Sequence, residues 1–432
     1  MPDMANPELP VPDGLKLRPF HGVRYTVGDV ARVTSPPYDL IGEDDARALL
    51  SSHPNNVVRL ILPGADRHRY AEARDTLSAW LAEGVLAADP EPAIYVYEQS
   101  AGDRVLQRGL IGDVALTPPE RRIILPHEDV MPGPVADRLA LMRTTQANLE
   151  PIFLLYEGGE STARLLTEVA TTRAPVTDVV VEDGNGGPGP ARRHRLWAIT
   201  DASEIALLND DLRDRQALIA DGHHRYATYL ELQREHHAAG DGPGPWDYGL
   251  ALLVDSTAYP PDLKPIHRVI PGLPLAQAVA RAKGAWQVHE YAVRAEGLAA
   301  LATAPEPAYL LAGAGGPAHL LTDPDPLQLR HAMPADRSAQ WQALNTSILA
   351  EFLLPKVWGL HDDERTVRIV HHDPDAAIRQ AASTGGTAVI LNPLSVDDVL
   401  GVAAEGERVP RKSTSFGPKP RTGLIMRTFA ND

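Results

Sequence analysis

The chain has 432 residues, a formal net charge of −16 and no cysteine. This length suits two or three domains, or one large domain with insertions. The lack of cysteine excludes disulfides, thiolate catalysis and cysteine-ligated zinc, and the negative charge argues against nucleic-acid binding. No apolar run reaches the roughly 18 residues of a membrane helix, and residues 1–15 lack the basic start and apolar core of a signal peptide. We therefore expect a cytoplasmic protein without a membrane partner.

Strand and helix patterns alternate along the first half of the chain. Two prolines fix an extended path just before Tyr38 and Asp39. The patterns predict a helix over 42–50, a turn and a strand over 55–62, an amphipathic helix over 66–85, hairpin strands over 94–97 and 109–116, a helix over 137–145, strands over 152–156 and 194–200, and a helix over 201–213. The glycine- and proline-rich residues 183–190 form a loop that lacks the context of a dinucleotide fingerprint.

The densest cluster of polar side chains follows a buried apolar run at 218–220. It is the sequence Asp221-Gly222-His223-His224-Arg225-Tyr226, and residues 227–233 then predict a helix. A strand that turns through a glycine into a helix presents free backbone N–H groups and the positive end of the helix dipole. Phosphate is the natural ligand of such a turn. Arg225 is a candidate for gripping phosphate oxygens, one of the histidines for proton transfer, and Asp221 for orienting a histidine or binding Mg²⁺.

Two other interpretations of this cluster stay open. In one, Asp221 caps the helix and the histidines lie on the surface. In the other, zinc takes His223 or His224 together with His127 and His267. Zinc is disfavoured because neighbouring histidines diverge by about 100° on a helix and point oppositely on a strand.

Further polar groups are candidate partners of this turn. Glu128 or His127, after the apolar run 123–125, is a candidate general base, and Glu128 is a candidate magnesium carboxylate; a solvated loop is the alternative. Tyr38 and Asp39 form either a rigid wall of a site or a plain connector. Arg143 on a helix, and the pair His267 and Arg268, are as easily structural as functional.

The end of the chain is basic. Between residues 408 and 427 there are six lysines and arginines and no acidic residue. Lys412, Ser413 and Thr414, together with Lys419 and Arg421, suit an anion clamp, and we predict that this tail returns to the site. The alternative is a tail that only neutralises an acidic body.

The overall alternation of strands and helices predicts an α/β or mixed α+β fold. Beyond residue 274 the pattern predicts helices near 274–284, 337–353, 374–382 and 395–403, and strands near 308–312, 318–322, 366–370 and 387–391. We expect an N-terminal lobe over 1–116, a central lobe over 117–273 that carries the His-His-Arg site, and a C-terminal α/β lobe over 274–432.

The motifs together resemble a prokaryotic family named only as a domain of unknown function. They are Ser35-Pro36-Pro37-Tyr38-Asp39, Ile124-Leu125-Pro126-His127-Glu128, Ala147-Asn148-Leu149-Glu150-Pro151-Ile152-Phe153, His194-Arg195-Leu196-Trp197, Asp221-Gly222-His223-His224-Arg225-Tyr226 and Lys412-Ser413-Thr414. The resemblance spans residues 17–427. The Asp-Gly-His-His-Arg element is also locally similar to the ParB/sulfiredoxin-like fold, which includes free-serine kinases. The resemblance implies that this element holds nucleotide phosphates, and it implies a small hydroxy-amino-acid or phospho-amino-acid substrate.

These observations favour a phosphoryl-transfer enzyme, either a kinase or a phosphatase. In the kinase form a phosphate of ATP or ADP lies on the 221–225 turn, Mg²⁺ bridges it through Asp221 or Glu128, and a carboxylate such as Glu128 accepts the substrate proton. Arg225 and Lys412 would neutralise the transferring group. The absence of a Walker A motif excludes a P-loop kinase. A non-catalytic, regulatory protein that binds a nucleotide or phosphometabolite is the alternative, and ParB-type DNA binding is a third that the net charge disfavours.

Overall fold

The computed structural model describes residues 13–66, 68–182, 191–363 and 365–431. The predicted loop over 183–190 lies outside the described residues. The chain divides into two compact units. The first unit comprises Met1–Leu125, Val130–Pro260 and Pro418–Asp432, and the second comprises Pro126–Asp129 and Pro261–Gly417. The three lobes predicted from the sequence have other boundaries and stay a prediction.

The first unit contains helices α1 to α8 and most of the strands. The helices are α1 (Val30–Val33), α2 (Glu43–Ser52), α3 (Val58–Ile61), α4 (Arg69–Ala82), α5 (Pro132–Thr145), α6 (Glu160–Thr172), α7 (Ala202–Leu212) and α8 (His223–Ala239). The strands are β1 (Leu17–Arg18), β2 (Val23–Tyr25), β3 (Leu86–Ala88), β4 (Ile94–Ala101), β5 (Arg104–Ala115), β6 (Ile124–Leu125), β7 (Ala147–Asn148), β8 (Ile152–Tyr156), β9 (Thr177–Val181), β10 (Arg192–Ile199), β11 (Ala217–Asp221) and β12 (Tyr248–Asp255).

The second unit contains the remaining helices and the next strands. The strands are β13 (Asp262–Lys264), β14 (Ile266–Ile270), β15 (Gln287–Tyr291), β16 (Tyr309–Ala312), β17 (Ala318–Thr322), β18 (Arg368–His371), β19 (Thr387–Ile390) and β20 (Ser415–Gly417). The helices are α9 (Leu275–Ala282), α10 (Arg294–Thr303), α11 (Pro326–Ala332), α12 (Ala339–Ala343), α13 (Asn345–Ile348), α14 (Pro374–Ser383) and α15 (Val396–Ala404). The last strand, β21 (Arg427–Thr428), belongs to the first unit. The predicted mixed α/β fold is confirmed.

A mixed sheet forms the centre of the first unit. Its strands follow the order β6-β11-β8-β12-β5-β4-β10-β9, and β1 adds to β5. β4 and β5 form the predicted antiparallel hairpin, while β8 runs parallel to β12 and antiparallel to β11. Fully buried side chains such as Leu154, Trp197 and Ile219 form one continuous core on this sheet. β11, which leads to the His-His-Arg sequence, is thus held between β6 and β8.

Residues 58–61 are helical, so the strand predicted over 55–62 is wrong. The side chain of the buried Asn56 explains the difference. Its Oδ1 accepts the Val58 N–H at 3.0 Å, and its Nδ2 donates to the Arg32 carbonyl at 2.8 Å. A local side-chain hydrogen bond of this kind competes with strand pairing and favours a helical turn.

Helix α5 begins earlier than the pattern predicts. It starts at Pro132 rather than near 137. Proline suits the first helical position, because its missing N–H has no partner there and its φ already matches the helix. The segment Pro132-Gly133-Pro134 is therefore the first turn of the helix.

An antiparallel sheet forms the second unit, in the order β15-β17-β16-β19-β14-β18. Its core joins strand side chains such as Val269 and Leu310 to Leu301 of α10 and Ile378 of α14. The single helix predicted over 337–353 is wrong. Leu344 is extended (ψ 134°) between α12 and α13, and residues 349–358 form π-helical turns.

None of the helices in the described ranges combines the length and the apolar character needed to cross a membrane.

We expect the buried His194 to make the first unit acid-sensitive. Its Nδ1 lies 2.8 Å from the Tyr97 hydroxyl, and burial, aided by the charges of Arg421 and Arg192, lowers its pKa to about 3. Unfolding returns the pKa to about 6.5, so the unfolded chain binds the extra proton. His194 therefore costs no stability above pH 6.5. Below that pH its protonation in the unfolded chain lowers the free energy of unfolding by roughly 1.4 kcal/mol per pH unit.

Urea denaturation between pH 7 and pH 5 measures this loss. His194→Gln should flatten the pH dependence, whereas His331→Gln, an exposed residue of α11, should keep it. An unchanged slope in His194→Gln would contradict the assignment.

Candidate functional site

The turn between β11 and α8 depends on Gly222. Its φ is +95°, which side chains rarely adopt. A Cβ there would lie 3.0 Å from Ile152 Cγ2 and 3.1 Å from Arg225 Nε. The 17-residue helix α8 then begins without a side-chain hydrogen bond to its first turn. The structure thus has the strand–glycine–helix turn that the sequence predicts, and the positive end of the α8 dipole lies at this turn.

Four charged side chains form a chain of ion pairs beside this turn. In order they are Asp39, Lys419, Asp221 and Arg225, and we call them the charged chain. Lys419 Nζ lies 2.6 Å from Asp39 Oδ2 and also pairs with Asp221 Oδ1. Asp221 Oδ2 pairs with Arg225 at 2.5 Å. The Lys419, Asp221 and Arg225 side chains are about one-tenth exposed or less, so their charges are compensated mainly by one another.

Three further groups surround Arg225. Its NH1 donates to the Pro151 carbonyl at 2.6 Å, and Tyr38 lies 5.9 Å from its guanidinium. Glu150 Oε1 accepts the Tyr38 N–H at 3.1 Å and the Thr422 hydroxyl at 2.9 Å. Arg225 Nε is buried and has no hydrogen-bond partner among the described residues. The guanidinium thus keeps one donor unused.

Nearby carboxylates raise the pKa values of Arg225 and Lys419. Burial alone would lower the pKa of Arg225, but Glu150 and Asp221 raise it by more. Burial likewise opposes the charge of Lys419, and Asp221 with Asp39 raises its pKa above the ordinary value. Both cations therefore remain charged across the physiological pH range and act as fixed positive charges.

A small cavity lies next to this cluster. It has a volume of about 30 Å³, and its lining includes Arg138, Asn148, Glu150, Arg225 and Tyr229. A cavity of this size, lined by such polar groups, has room for about one water molecule.

The other predicted residues of the first unit have varied surroundings. His223 is buried, and His224 Nε2 accepts the Met131 N–H at 3.0 Å. Tyr226 is buried and donates its hydroxyl to the Thr117 carbonyl at 2.5 Å. Arg143 pairs with Glu235 on the surface, 2.7 Å between Nε and Oε2. Tyr226 and Arg143 thus have structural partners.

Sequence reasoning missed Glu150 and Thr422 as site residues. Thr422 was hidden because its hydroxyl bonds a residue 272 positions away. For Glu150 a signal was present, since the polar Asn148-Leu149-Glu150-Pro151 directly precedes the buried strand β8.

In the second unit, His127 and Glu128 meet the basic tail. Glu128 Oε1 accepts the backbone N–H groups of Ser413 and Thr414 at 3.2 and 3.4 Å, and it lies 3.0 Å from the Thr414 hydroxyl. His127 Nε2 lies 2.7 Å from the same hydroxyl. Burial raises the pKa of Glu128, although Lys412 and these hydrogen bonds lower it in part. A raised carboxyl pKa suits a general base or acid near neutral pH.

His267 and Arg268 are buried in β14 of the second unit. Burial lowers the pKa of His267 to about 4, so it is neutral at pH 7. Arg268 donates to the backbone carbonyls of Ile266, Arg411 and Lys412. Arg268 therefore fixes the backbone of the tail at Arg411 and Lys412.

The described residues offer little for a metal ion. They contain no group of three or more His, Asp or Glu side chains placed to hold one. Both carboxylate oxygens of Asp221 already bind cations, Arg225 and Lys419. A magnesium ion at Asp221 would have to displace Lys419, so the site as it stands does not fit one.

Comparison with known families identifies the kin of this chain. The model of a family described as "Protein of unknown function (DUF1015)" matches residues 17–347. The chain belongs to this family. The resemblance inferred from the motifs is thereby confirmed. A search of curated proteins finds no match.

Several solved structures are distantly similar to this DUF1015 protein. One is a free serine kinase in complex with AMP, at 13% identity and a TM-score of 0.34, covering 72% of this chain and 87% of that one. Another is SbnI with a C-terminal truncation from Staphylococcus aureus, at 11% identity and a TM-score of 0.35, covering 72% and 84%. A third is a conserved hypothetical protein from Pyrococcus furiosus, at 12% identity and a TM-score of 0.33, covering 72% and 90%.

Substitution of Gly222 should be costlier than substitution of Gly240, the glycine that ends the same helix. Gly240 has a similar φ of +87°, but a Cβ there meets nothing within 4 Å. Gly240→Ala should therefore cost only backbone strain, about 1 kcal/mol. Gly222→Ala adds crowding against Ile152 and Arg225 and should cost at least about 1 kcal/mol more. Urea denaturation of both variants measures the difference, and equal losses would contradict the close packing at the turn.

Proposed function

We propose that this protein transfers a phosphoryl group to or from a small hydroxy amino acid, with serine and phosphoserine as the first substrates to test. The observation that carries the proposal is the start of α8 in the first unit. There, the first turn of the helix lies beside Arg225 and Lys419, which carry fixed positive charges. Amides, guanidinium and ammonium are the groups that stabilise a transferring phosphoryl group.

In the kinase direction, the substrate hydroxyl oxygen attacks the terminal phosphorus of a nucleotide such as ATP or ADP. A new oxygen–phosphorus bond forms, the bond to the bridging oxygen breaks, and the shortened nucleotide leaves. In the phosphatase direction, water attacks the phosphorus of the phosphoamino acid and the alcohol leaves with a proton. The geometry at α8 serves both directions, since both place the same charge on the phosphoryl oxygens.

One histidine is the proposed proton carrier. His224 Nε2 accepts the Met131 N–H, so this nitrogen carries no proton in the structure. It can accept the proton that the attacking hydroxyl or water releases only when the hydrogen bond to Met131 opens. The assignment of Glu128 as the proton acceptor also stays a prediction.

Magnesium is proposed only as a companion of the nucleotide phosphates. Mg²⁺ commonly keeps several waters and takes one or two carboxylates together with substrate phosphates. This mode does not require a protein cage, but at Asp221 it would have to displace Lys419. We derive no step through the metal.

A binding protein without catalysis is the second candidate. It is favoured by the internal pairing of the charged chain, in which Asp39 and Asp221 already engage Lys419 and Arg225. A ligand phosphate could then bind at the helix start without any group being free for chemistry.

Phosphorus NMR distinguishes the two candidates. The purified protein is incubated with Mg²⁺, ATP or ADP and serine, and separately with phosphoserine. We expect phosphoryl transfer in at least one mixture. His224→Ala and Arg225→Lys should lower the rate by about 100-fold, because they remove a proton carrier and a preorganised charge geometry.

Arg234→Ala is the matched control, since Arg234 lies on α8 but is exposed and pairs with Glu231 of the same helix. Its rate should equal that of the wild type. Phosphoryl transfer in no mixture, with ligand binding intact, would favour the binding protein. An unchanged rate in both site variants would refute the proposed site.

A further inference from the structure

The tail of the second unit forms a turn that gathers hydrogen-bond donors. We call Lys412, Ser413 and Thr414 the anion turn. Lys412 has a φ of +53°, and the next two backbone N–H groups point to one place. Successive N–H groups around a left-handed residue form a concave binding site for an anion. The Thr414 hydroxyl lies at the same place, 3.0 Å from the oxygen that both amides contact.

A buried positive charge lies behind this turn. Arg268 is 1% exposed and donates to the carbonyls of Arg411 and Lys412 at 3.2 and 3.0 Å. Its Nε has no hydrogen-bond partner among the described residues. Burial lowers its pKa only to about 10, so it is charged at neutral pH. A buried guanidinium bound mainly to carbonyls favours a nearby negative charge.

Two carboxylates of the protein supply such charge, Asp362 with the larger effect on Arg268 and Glu128 with the smaller, and of the two Glu128 lies in the anion turn. All three donors of the anion turn reach the same atom, Glu128 Oε1. The two amide distances of 3.2 and 3.4 Å exceed the roughly 2.7–2.9 Å of well-fitted charge-assisted hydrogen bonds. The tethered carboxylate thus fills the turn without fitting it closely, whereas an untethered anion can approach to the ideal distance. Glu128 as a residue is partly exposed, while burial dominates the surroundings of its carboxyl group.

We infer that the anion turn is a binding site for an anionic oxygen of a small ligand, a phosphate or a carboxylate, and that Glu128 occupies it in the absence of this ligand. Ligand binding releases the Glu128 carboxylate from Ser413 and Thr414. The inference concerns the second unit alone and stands independently of the phosphoryl-transfer proposal.

Removal of the internal occupant should expose the site. Inorganic phosphate and acetate are titrated separately into the full-length protein at pH 7 by calorimetry. Glu128→Ala should bind one of the two at least about 10-fold more tightly than the wild type, because a tethered competitor acts at a high effective concentration. The anion that gains affinity identifies the ligand group. Glu128→Gln is the matched control, because its amide oxygen still accepts the same donors, and it should remain as weak as the wild type.

A second substitution locates the gain. Thr414→Val in the Glu128→Ala background removes one donor to a charged oxygen and should lower the gained affinity by about 10-fold or more. Any anion bound in the first unit contributes equally to all these proteins and cancels in the comparison. Equal affinity of Glu128→Ala and the wild type for both anions would overturn the inference.

The wild-type protein provides a test that does not depend on the folding of a variant. Excess phosphate or acetate should slow amide hydrogen exchange in residues 411–416, because the ligand replaces long hydrogen bonds by shorter ones. Unchanged exchange of this segment with both anions would also overturn the inference.

Discussion

The ion pairing of Lys419 with Asp39 and Asp221 is the interaction on which the first unit's site depends. Buried charges cost several kcal/mol each unless partners compensate them. Asp221 ends β11 and Arg225 lies in the first turn of α8. Asp39 lies in the short 3₁₀ helix Tyr38–Leu40, and Lys419 lies 380 residues further along the chain. Each of these charges is compensated by an opposite charge from another segment. The start of α8 is thereby fixed against two remote segments, those of Asp39 and Lys419.

The C-terminal segment is consequently part of the first unit's core. Thr422 pairs with Ser35 through backbone hydrogen bonds in both directions, and its hydroxyl reaches Glu150. Further on, Arg427 is fully buried and pairs with Asp113 of β5 at 2.8 Å. A segment that resembles a basic tail in the sequence therefore packs into the first unit.

In the second unit, the preceding residues 412–414 bind the Glu128 carboxylate. The two parts of the predicted clamp thus have different anionic partners.

Local features were predictable from the sequence, and long-range pairings were not. The strand–glycine–helix order at 217–223 follows from an apolar run, a glycine and a helical pattern, and the structure has it. The strand predicted at 55–62 failed because one buried amide, Asn56, overrides the β-branched residues around it. Lys419 was predicted to bind an external anion, yet its contacts are Asp39, 380 residues away, and Asp221. A single sequence contains no signal for such a pairing, since it depends on how the sheet brings the segments together.

The central claim is that the start of α8 binds phosphate. A crystal structure with phosphoserine, or with a nucleoside diphosphate, tests it most directly. The account predicts a phosphate oxygen within hydrogen-bond distance of the first backbone N–H groups of α8, at His223 and His224, with the unused Arg225 Nε facing the ligand. A bound phosphate elsewhere, with the start of α8 unliganded at saturating ligand, would contradict it.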